Sequence, residues 1–320
     1  MGGTPKEREP SISVIVVSHD HERYIGQCLD AIAAQTYRDF ELVVLDDSSS
    51  DASAERAETW LANSDLNATL IVNERNRGIC ATLNRALEHT TGDLISYVSA
   101  DDYYEPGKLE RERDLLSMSD PAVALVYSDM RVVDADGQML ASTWYPRDRY
   151  PTGAPEGRVF DQVIAGNFIS APTVMMRRSA IESVGGYDES MVYEDFDLWL
   201  RITDRFEVRY LPEVLANFRV LPTSLSHSPE RTIDVRESRV RALSKWFGTS
   251  APIDDVIARR AWAIGRRTIV DDPRRARGML RPVLEHQPTL SRRAVYGASY
   301  VPGFGQVIRA SIALRDRLKP

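Results

Sequence analysis

The sequence predicts an α/β protein with a mostly parallel sheet, followed by a helical appendage. Three observations carry that expectation. From Ile12 to about Val126, short runs of consecutive apolar residues alternate with longer amphipathic stretches. Strand signals then disappear after about Ser228. The charge reverses at the same place: residues 1–228 carry 21 Lys/Arg against 38 Asp/Glu, and residues 229–320 carry 19 against 9.

Taken in order, Ile12–Val17 reads as a buried strand and Glu22–Ala34 as a helix with apolar positions at Ile25, Leu29 and Ile32. Phe40–Leu45 is a second strand. Asp51 is expected to cap a helix to about Ala62, with Glu55 near the capping-box position. Ala68–Val72, Leu94–Val98 and Val123–Tyr127 are further strands, with a helix at Ile79–His89 and another whose first turn takes Pro106. Val- and Ile-rich strands separated by helices imply a sheet covered on both faces. Beyond Ser128, Met130–Ser142 reads as a hairpin around Asp136-Gly137. Tyr145–Arg158 reads as a long loop over a site. Pro172–Arg177 is a strand, Asp195–Thr203 a helix, and Phe206–Leu211 and Leu215–Val220 two short strands. Val235–Trp246, Ile253–Val270, Arg274–His286 and Gln306–Leu318 are helices. The expected organisation is therefore a flexible start (1–10), a catalytic α/β domain (11–228) and a basic helical region (229–320).

Composition narrows the classes. No apolar run approaches the roughly 18 residues of a membrane span, and the polar start MGGTPKEREP lacks the apolar core of a secretory signal. A cytoplasmic location is expected, with Cys28 and Cys80 as buried free thiols. The acidic part is a poor surface for nucleic acid. The basic part suits docking against the acidic domain, contact with a phosphorylated acceptor, or peripheral contact with an anionic membrane.

In open α/β sheets ligands bind beyond the carboxyl ends of the strands. Three acidic pairs fall there or near that edge: Asp46-Asp47, Asp101-Asp102 and Glu194-Asp195. Clustered carboxylates repel one another, and a phosphate ligand only adds negative charge. A divalent cation resolves both problems, and oxygen ligands favour Mg²⁺ or Mn²⁺. No G-x-G-x-x-G follows the first strand, where Ser18-His19-Asp20 stands, which argues against a dinucleotide oxidoreductase. A signalling receiver domain leaves the two later acidic pairs unexplained.

Ser13–Asp20, Gln35-Thr36-Tyr37, Phe40–Asp51, Asn76-Arg77-Gly78, Ala81, Asn84, Asp101-Asp102 and Glu194-Asp195 with Leu198–Arg201 follow one another in an order that resembles family 2 glycosyltransferases of the GT-A fold. The resemblance spans roughly residues 11–228. It implies an inverting glycosyltransferase that moves a sugar from a nucleotide-diphosphate donor, a UDP-sugar foremost, to a glycan or lipid-linked acceptor hydroxyl in cell-surface polysaccharide or glycoconjugate synthesis. It also implies roles. Val17, His19, Asp47, Arg77 and Asp101 would bind the donor nucleotide, Asp102 the metal, and Asp195 would be the general base. Glu194, Trp199 and Arg219 would support the site or touch the acceptor. With an ordinary pKa near ~4, Asp195 is expected to be ionised at neutral pH without special tuning. Two positions depart from the family pattern. Ser99 stands where a first Asp is common, and Leu221 where a histidine is common, with His227 as a candidate substitute. Leu221 keeps a second reading open, a nucleotide-sugar-binding module without turnover.

Overall fold

The computed structural model describes residues 10–317, apart from 147, 223 and 225–230, with side chains as far as 310; His227 lies outside the described residues. Strands β1 (Ile12–Ser18), β2 (Phe40–Asp46), β3 (Asn67–Val72) and β4 (Leu94–Ser99) lie parallel in the order β3-β2-β1-β4. All seven residues of β1 are buried, as befits a central strand covered on both faces. Each fully buried Val or Ile there contributes roughly 1.5–3 kcal/mol. Helix α1 (Ile25–Ala33) turns Ile25, Cys28, Leu29 and Ile32 inward, the spacing of one helical face. Helices α2 (Ser53–Ala62) and α3 (Ile79–Glu88) complete the crossovers.

Register places the site. Ser18 pairs with Asp46, Val17 with Ser99, and Asp46 with Val72. The chain therefore leaves all four strands at one edge, carrying His19, Asp47, Asn73 and the Asp101-Asp102 pair. Beyond β4, β5 (Tyr103–Tyr104) leads to α4 (Lys108–Met118). Pro106 precedes this helix rather than entering it, because Gly107, at φ +88°, is its N-cap. Strands β6 (Val123–Val133) and β7 (Met139–Ala141) form the expected hairpin, with Gly137 at φ +81° in its turn. Strand β8 (Val174–Arg177) lies antiparallel between β4 and β6. Strand β9 (Glu207–Arg219) runs parallel to β6 as one element where two short strands were expected. Its register shifts where Ser128 pairs with Leu211 and Asp129 with Val214, so Pro212, which has no N–H to donate, is absorbed without ending the strand. Antiparallel pairing of Tyr103 with Asn217 brings β5 alongside the end of β9.

The contacts divide the chain into two compact units. The first, residues 1–159, 168–190 and 201–221, holds the sheet and α6 (Arg178–Ser183). The second comprises residues 160–167, 191–200 and 222–320. It holds α5 (Phe160–Ala165), the start of α7 (Glu194–Arg205), α8 (Thr232–Ser244), α9 (Ala251–Thr268), α10 (Pro273–His286), α11 (Leu290–Ala298) and α12 (Phe304–Arg317). Val240, Ala258, Ala261, Met279 and Val283 form one of its cores. Gly265 lets α9 approach α10 closely, since a Cβ there would lie 2.7 Å from Leu280 Cδ2. Among the described residues no helix is long and apolar enough to cross a membrane.

Candidate active site

The loops after β1 and β2 are built by carboxylates that accept backbone N–H groups. Asp46, fully buried, takes Ser49 N at 2.8 Å and Ser49 Oγ at 2.5 Å. Asp47, 3% exposed, takes Asn73 Nδ2 at 2.7 Å and Arg77 N at 2.8 Å on Oδ1, and Gly78 N at 2.9 Å on Oδ2. The loop from residue 73 to 78 is thus hung on Asp47, which leaves only part of Oδ2's accepting capacity for a nucleobase. Asp20 and Ser48 sit at φ +57° and +60°, and non-glycine residues held there concentrate at functional sites. Asp51 does not cap α2. Ala52 is the N-cap, and the Asp51 side chain takes Ser53 N at 2.9 Å and Glu22 N at 2.9 Å instead, tying the β1 loop to the β2 loop.

His19 has a defined tautomer. Asn76 Oδ1 accepts Gly78 N at 3.0 Å, which turns Asn76 Nδ2 toward His19 Nε2, also at 3.0 Å. Nε2 therefore accepts, and Nδ1–H donates to the Asp47 carbonyl at 3.0 Å. Val17 is buried at the end of β1, and the Arg77 side chain is exposed. Sequence reasoning missed His21, four residues after Val17. Its Nε2 lies 3.9 Å from Asp101 Oδ2, and its buried Nδ1 has no hydrogen-bond partner among the described residues. A second histidine so close to a strand end was the available signal.

Asp101 and Asp102 follow β4, and Arg219 holds them. Arg219, 2% exposed, donates its backbone N–H to Asp102 Oδ1 at 2.7 Å and Nε–H to the Asp101 carbonyl at 2.9 Å. Its Nη1 reaches the Asp134 and Ala135 carbonyls at 3.0 and 3.2 Å, and Nη2 reaches Gln27 Oε1 at 2.7 Å. One guanidinium thus fastens the acidic turn to the β6–β7 hairpin and to α1. Burial, then the charge of Asp101, pushes the Asp102 carboxyl well above its ordinary range, while Arg219 pulls it down. Two adjacent buried carboxylates, Asp102 disfavoured as an anion by burial and by its neighbour, fit a hard divalent cation. Asp102 would hold it, with diphosphate oxygens completing the shell, as Mg²⁺-type ions bound through one or two carboxylates require. No cage of three His, Cys, Asp or Glu side chains is present among the described residues.

Asp195 opens α7 in the second unit, and its surroundings are of another kind. It is 5% exposed, and Oδ2 accepts Asn167 Nδ2 at 3.1 Å. Asp195 Oδ1 and Asn167 Oδ1 are buried without a partner among the described residues. Burial first, then Glu194, pushes the Asp195 carboxyl up to about 8, while Arg239, Asn167 and the Phe196 N–H pull it down. The expectation of an untuned, fully ionised Asp195 is therefore corrected: removal from water disfavours the anion. Glu194 is half-buried, and Trp199 is fully buried. Asn167 was invisible to sequence reasoning, being a single amide in a loop.

The sheet order, the acid pairs at its carboxyl edge and the helices that follow define a GT-A-type protein. The family model for Glycosyl transferase family 2 matches residues 13–185, and the chain belongs to that family. The putative glycosyltransferase EpsE of Bacillus subtilis is 31% identical over 66% of this chain and 73% of that one. The O-antigen biosynthesis glycosyltransferase WbnJ of Escherichia coli is 27% identical over 65% and 79%. The chain spans about two thirds of the length of other relatives. Among solved structures, S. aureus TarS 1–349 in complex with UDP-GlcNAc matches at a TM-score of 0.67 and 18% identity over 91% of this chain and 89% of that one. The mannosyltransferase PcManGT from Pyrobaculum calidifontis, in complex with GDP-Man and Mn²⁺, matches at 0.59 and 21% over 98% and 88%. At these identities the structures bear on the fold alone.

Proposed function

We propose that this glycosyltransferase is inverting and metal-dependent, moving a sugar from a UDP-sugar to an acceptor hydroxyl in the synthesis of a surface polysaccharide or glycoconjugate. The observation that carries this reading is the Asp101-Asp102 pair, buried at the end of β4 and gripped by Arg219. Asp101 would hold the ribose, Asp102 the Mg²⁺ or Mn²⁺, and Val17, His19, Asp47 and Arg77 the nucleotide. When bound, the cation would offset charge on the departing diphosphate. The acceptor oxygen forms its bond to the anomeric carbon as the bond to the diphosphate oxygen breaks and takes the electron pair with it. The acceptor proton passes to Asp195. A single displacement with no enzyme nucleophile inverts the anomeric centre. General base catalysis of this kind is worth roughly 10²–10⁴-fold. Glu194, Trp199 and Arg219 support the machinery or the acceptor.

The bound donors of TarS and PcManGT and the Mn²⁺ of PcManGT support the donor class and the metal, and the O-antigen role of WbnJ supports the product class. The test is nucleotide release from a panel of nucleotide sugars with and without Mn²⁺. Release that requires Mn²⁺ is expected, and equal release in excess chelator would contradict the metal's part. The buried Leu221, in place of the family's histidine, favours the binding module as the second reading. Donor binding with no release under any condition would select it. For partners, we propose that the basic helical region touches an anionic membrane at the cytoplasmic face, where Leu290, Tyr300, Val301 and Val307 are exposed. Val301→Asp with Val307→Asp should weaken co-sedimentation with anionic vesicles, and unchanged binding would refute it.

A further inference from the structure

We infer that Asn76 is a positioning residue of the nucleotide site that acts through His19, so that the loop of residues 73–78 keeps its shape only while the imidazole is neutral. This rests on the reading of His19, Asp47 and Arg77 as residues that meet the donor nucleotide.

Hydrogen bonds form a closed circuit between the loops that follow β1, β2 and β3. It starts at the Asp47 carbonyl, which accepts His19 Nδ1–H at 3.0 Å. His19 Nε2 accepts Asn76 Nδ2–H at 3.0 Å. Asn76 Oδ1 accepts Gly78 N–H at 3.0 Å, and the same N–H donates to Asp47 Oδ2 at 2.9 Å, which closes the circuit on the residue where it began. Both ends are chemically fixed, since a carbonyl only accepts and a backbone N–H only donates. The amide between them has one workable orientation, and the imidazole one proton, on Nδ1. A second proton, on Nε2, sets two donors 3.0 Å apart. Turning the Asn76 amide over moves the conflict to Gly78 N without removing it. Arg77 sits between Asn76 and Gly78, with its own N–H on Asp47 Oδ1 at 2.8 Å, so the residue proposed to meet the nucleotide loosens with its two neighbours.

The charged neighbours of His19 come from the same three loops. Asp20 places Oδ2 3.8 Å from Nε2, beyond hydrogen-bond reach, and its charge favours the imidazolium. Its Oδ1 accepts Ser50 N and Oγ at 2.7 and 3.1 Å, and both partners of the pair are more than a third exposed, so water screens it. Asp47 engages its carboxylate with Asn73, Arg77 and Gly78. The Arg77 side chain is exposed, and His21 lies against Asp101 instead. The group within bonding distance of Nε2 is thus the Asn76 donor, which only the neutral ring can accept. Histidine is the side chain whose charge changes between about pH 5 and 8, so the circuit opens as pH falls through that range.

The experiment is UDP affinity by calorimetry at fixed Mn²⁺, from about pH 5 to 8, in the wild type, Asn76→Asp and His19→Phe. Each affinity is divided by that of His19→Phe at the same pH, which cancels the protons that UDP and the metal exchange themselves. The wild-type ratio should fall roughly 2–10-fold from the top of the range to the bottom, the worth of one hydrogen bond. In Asn76→Asp the new carboxylate can accept Gly78 N–H on one oxygen and Nε2–H on the other. The circuit then closes only on the protonated ring, and the ratio should rise as pH falls. A wild-type ratio that is flat in pH, or a fall in Asn76→Asp as steep as in the wild type, overturns the proposal. A companion measurement needs no nucleotide: two-bond ¹H–¹⁵N spectra of the wild type should show the neutral His19 ring with its proton on Nδ1. Its titration midpoint should rise by about one to two pH units in Asn76→Asp. A proton on Nε2, or an unmoved midpoint, overturns the role of Asn76 whatever the loop binds. Spectra as expected, with equal UDP affinity in all three proteins, would instead sink the reading of this loop as the nucleotide site.

Discussion

Two carboxylates, one in each compact unit, are built on opposite principles. Asp47 gives its oxygens to three donors of its own chain, Asn73 Nδ2, Arg77 N and Gly78 N, and so freezes a loop. Among the described residues Asp195 has one side-chain donor, from Asn167, and a buried oxygen with none. A buried acceptor without a partner costs roughly 1–3 kcal/mol, so the fold carries Asp195 at a loss that the proposed acceptor hydroxyl would recover. The first arrangement gives shape, and the second is the one the proposed base needs.

The contrast can be broken in four ways, and the largest effect belongs to neither of the two but to Asp102, the acid proposed to hold the metal. Asp102→Ala should weaken Mn²⁺-dependent donor binding by about tenfold or more, equivalent to ~1.4 kcal/mol per tenfold, as read by calorimetry with and without the metal. Asp47→Ala should lose stability and donor affinity together. It strands the Arg77 backbone N–H, while Gly78 N keeps Asn76 Oδ1, at about 1–3 kcal/mol, visible as a lower midpoint in urea. Asp195→Asn should do the reverse to stability. The folded carboxyl is raised to about 8 from an ordinary 3.8, so between those values the folded state keeps a proton that the unfolded state releases. Wild-type stability therefore falls as pH rises through that window. The variant should melt a few degrees higher than wild type at pH 8 and no higher at pH 4. Equal melting at both would deny that Asp195 is held at a loss. Gly78→Ala, at φ +82° and ψ 159° with open space around it, should cost ~1–3 kcal/mol of backbone strain and loosen donor binding slightly.

Strand positions were readable because β1, β2 and β4 are consecutive Val, Ile and Leu that only a doubly covered sheet accommodates. The acid pairs at their ends followed from topology alone. What escaped was tertiary. α11 buries no residue, so it left no apolar stripe to find. The continuity of β9 through Pro212 depends on a register shift against β6, which no local pattern announces. Asp51 resembled a cap by residue type, yet it sits one position early and serves the neighbouring loop. The charge state of Asp195 is set by burial, Glu194, Arg239 and Asn167, and two of those lie tens of residues away in sequence. Residue type pointed to the carboxylate, and only packing revealed its tuning.

The most direct measurement is single-turnover transfer by Asp195→Asn, with Mn²⁺-dependent donor affinity determined on the same preparation. Donor affinity within about twofold of wild type, with transfer slowed by roughly 10²–10⁴-fold, is the predicted result. Transfer at a rate within a few-fold of wild type would contradict the assignment of Asp195 as the base.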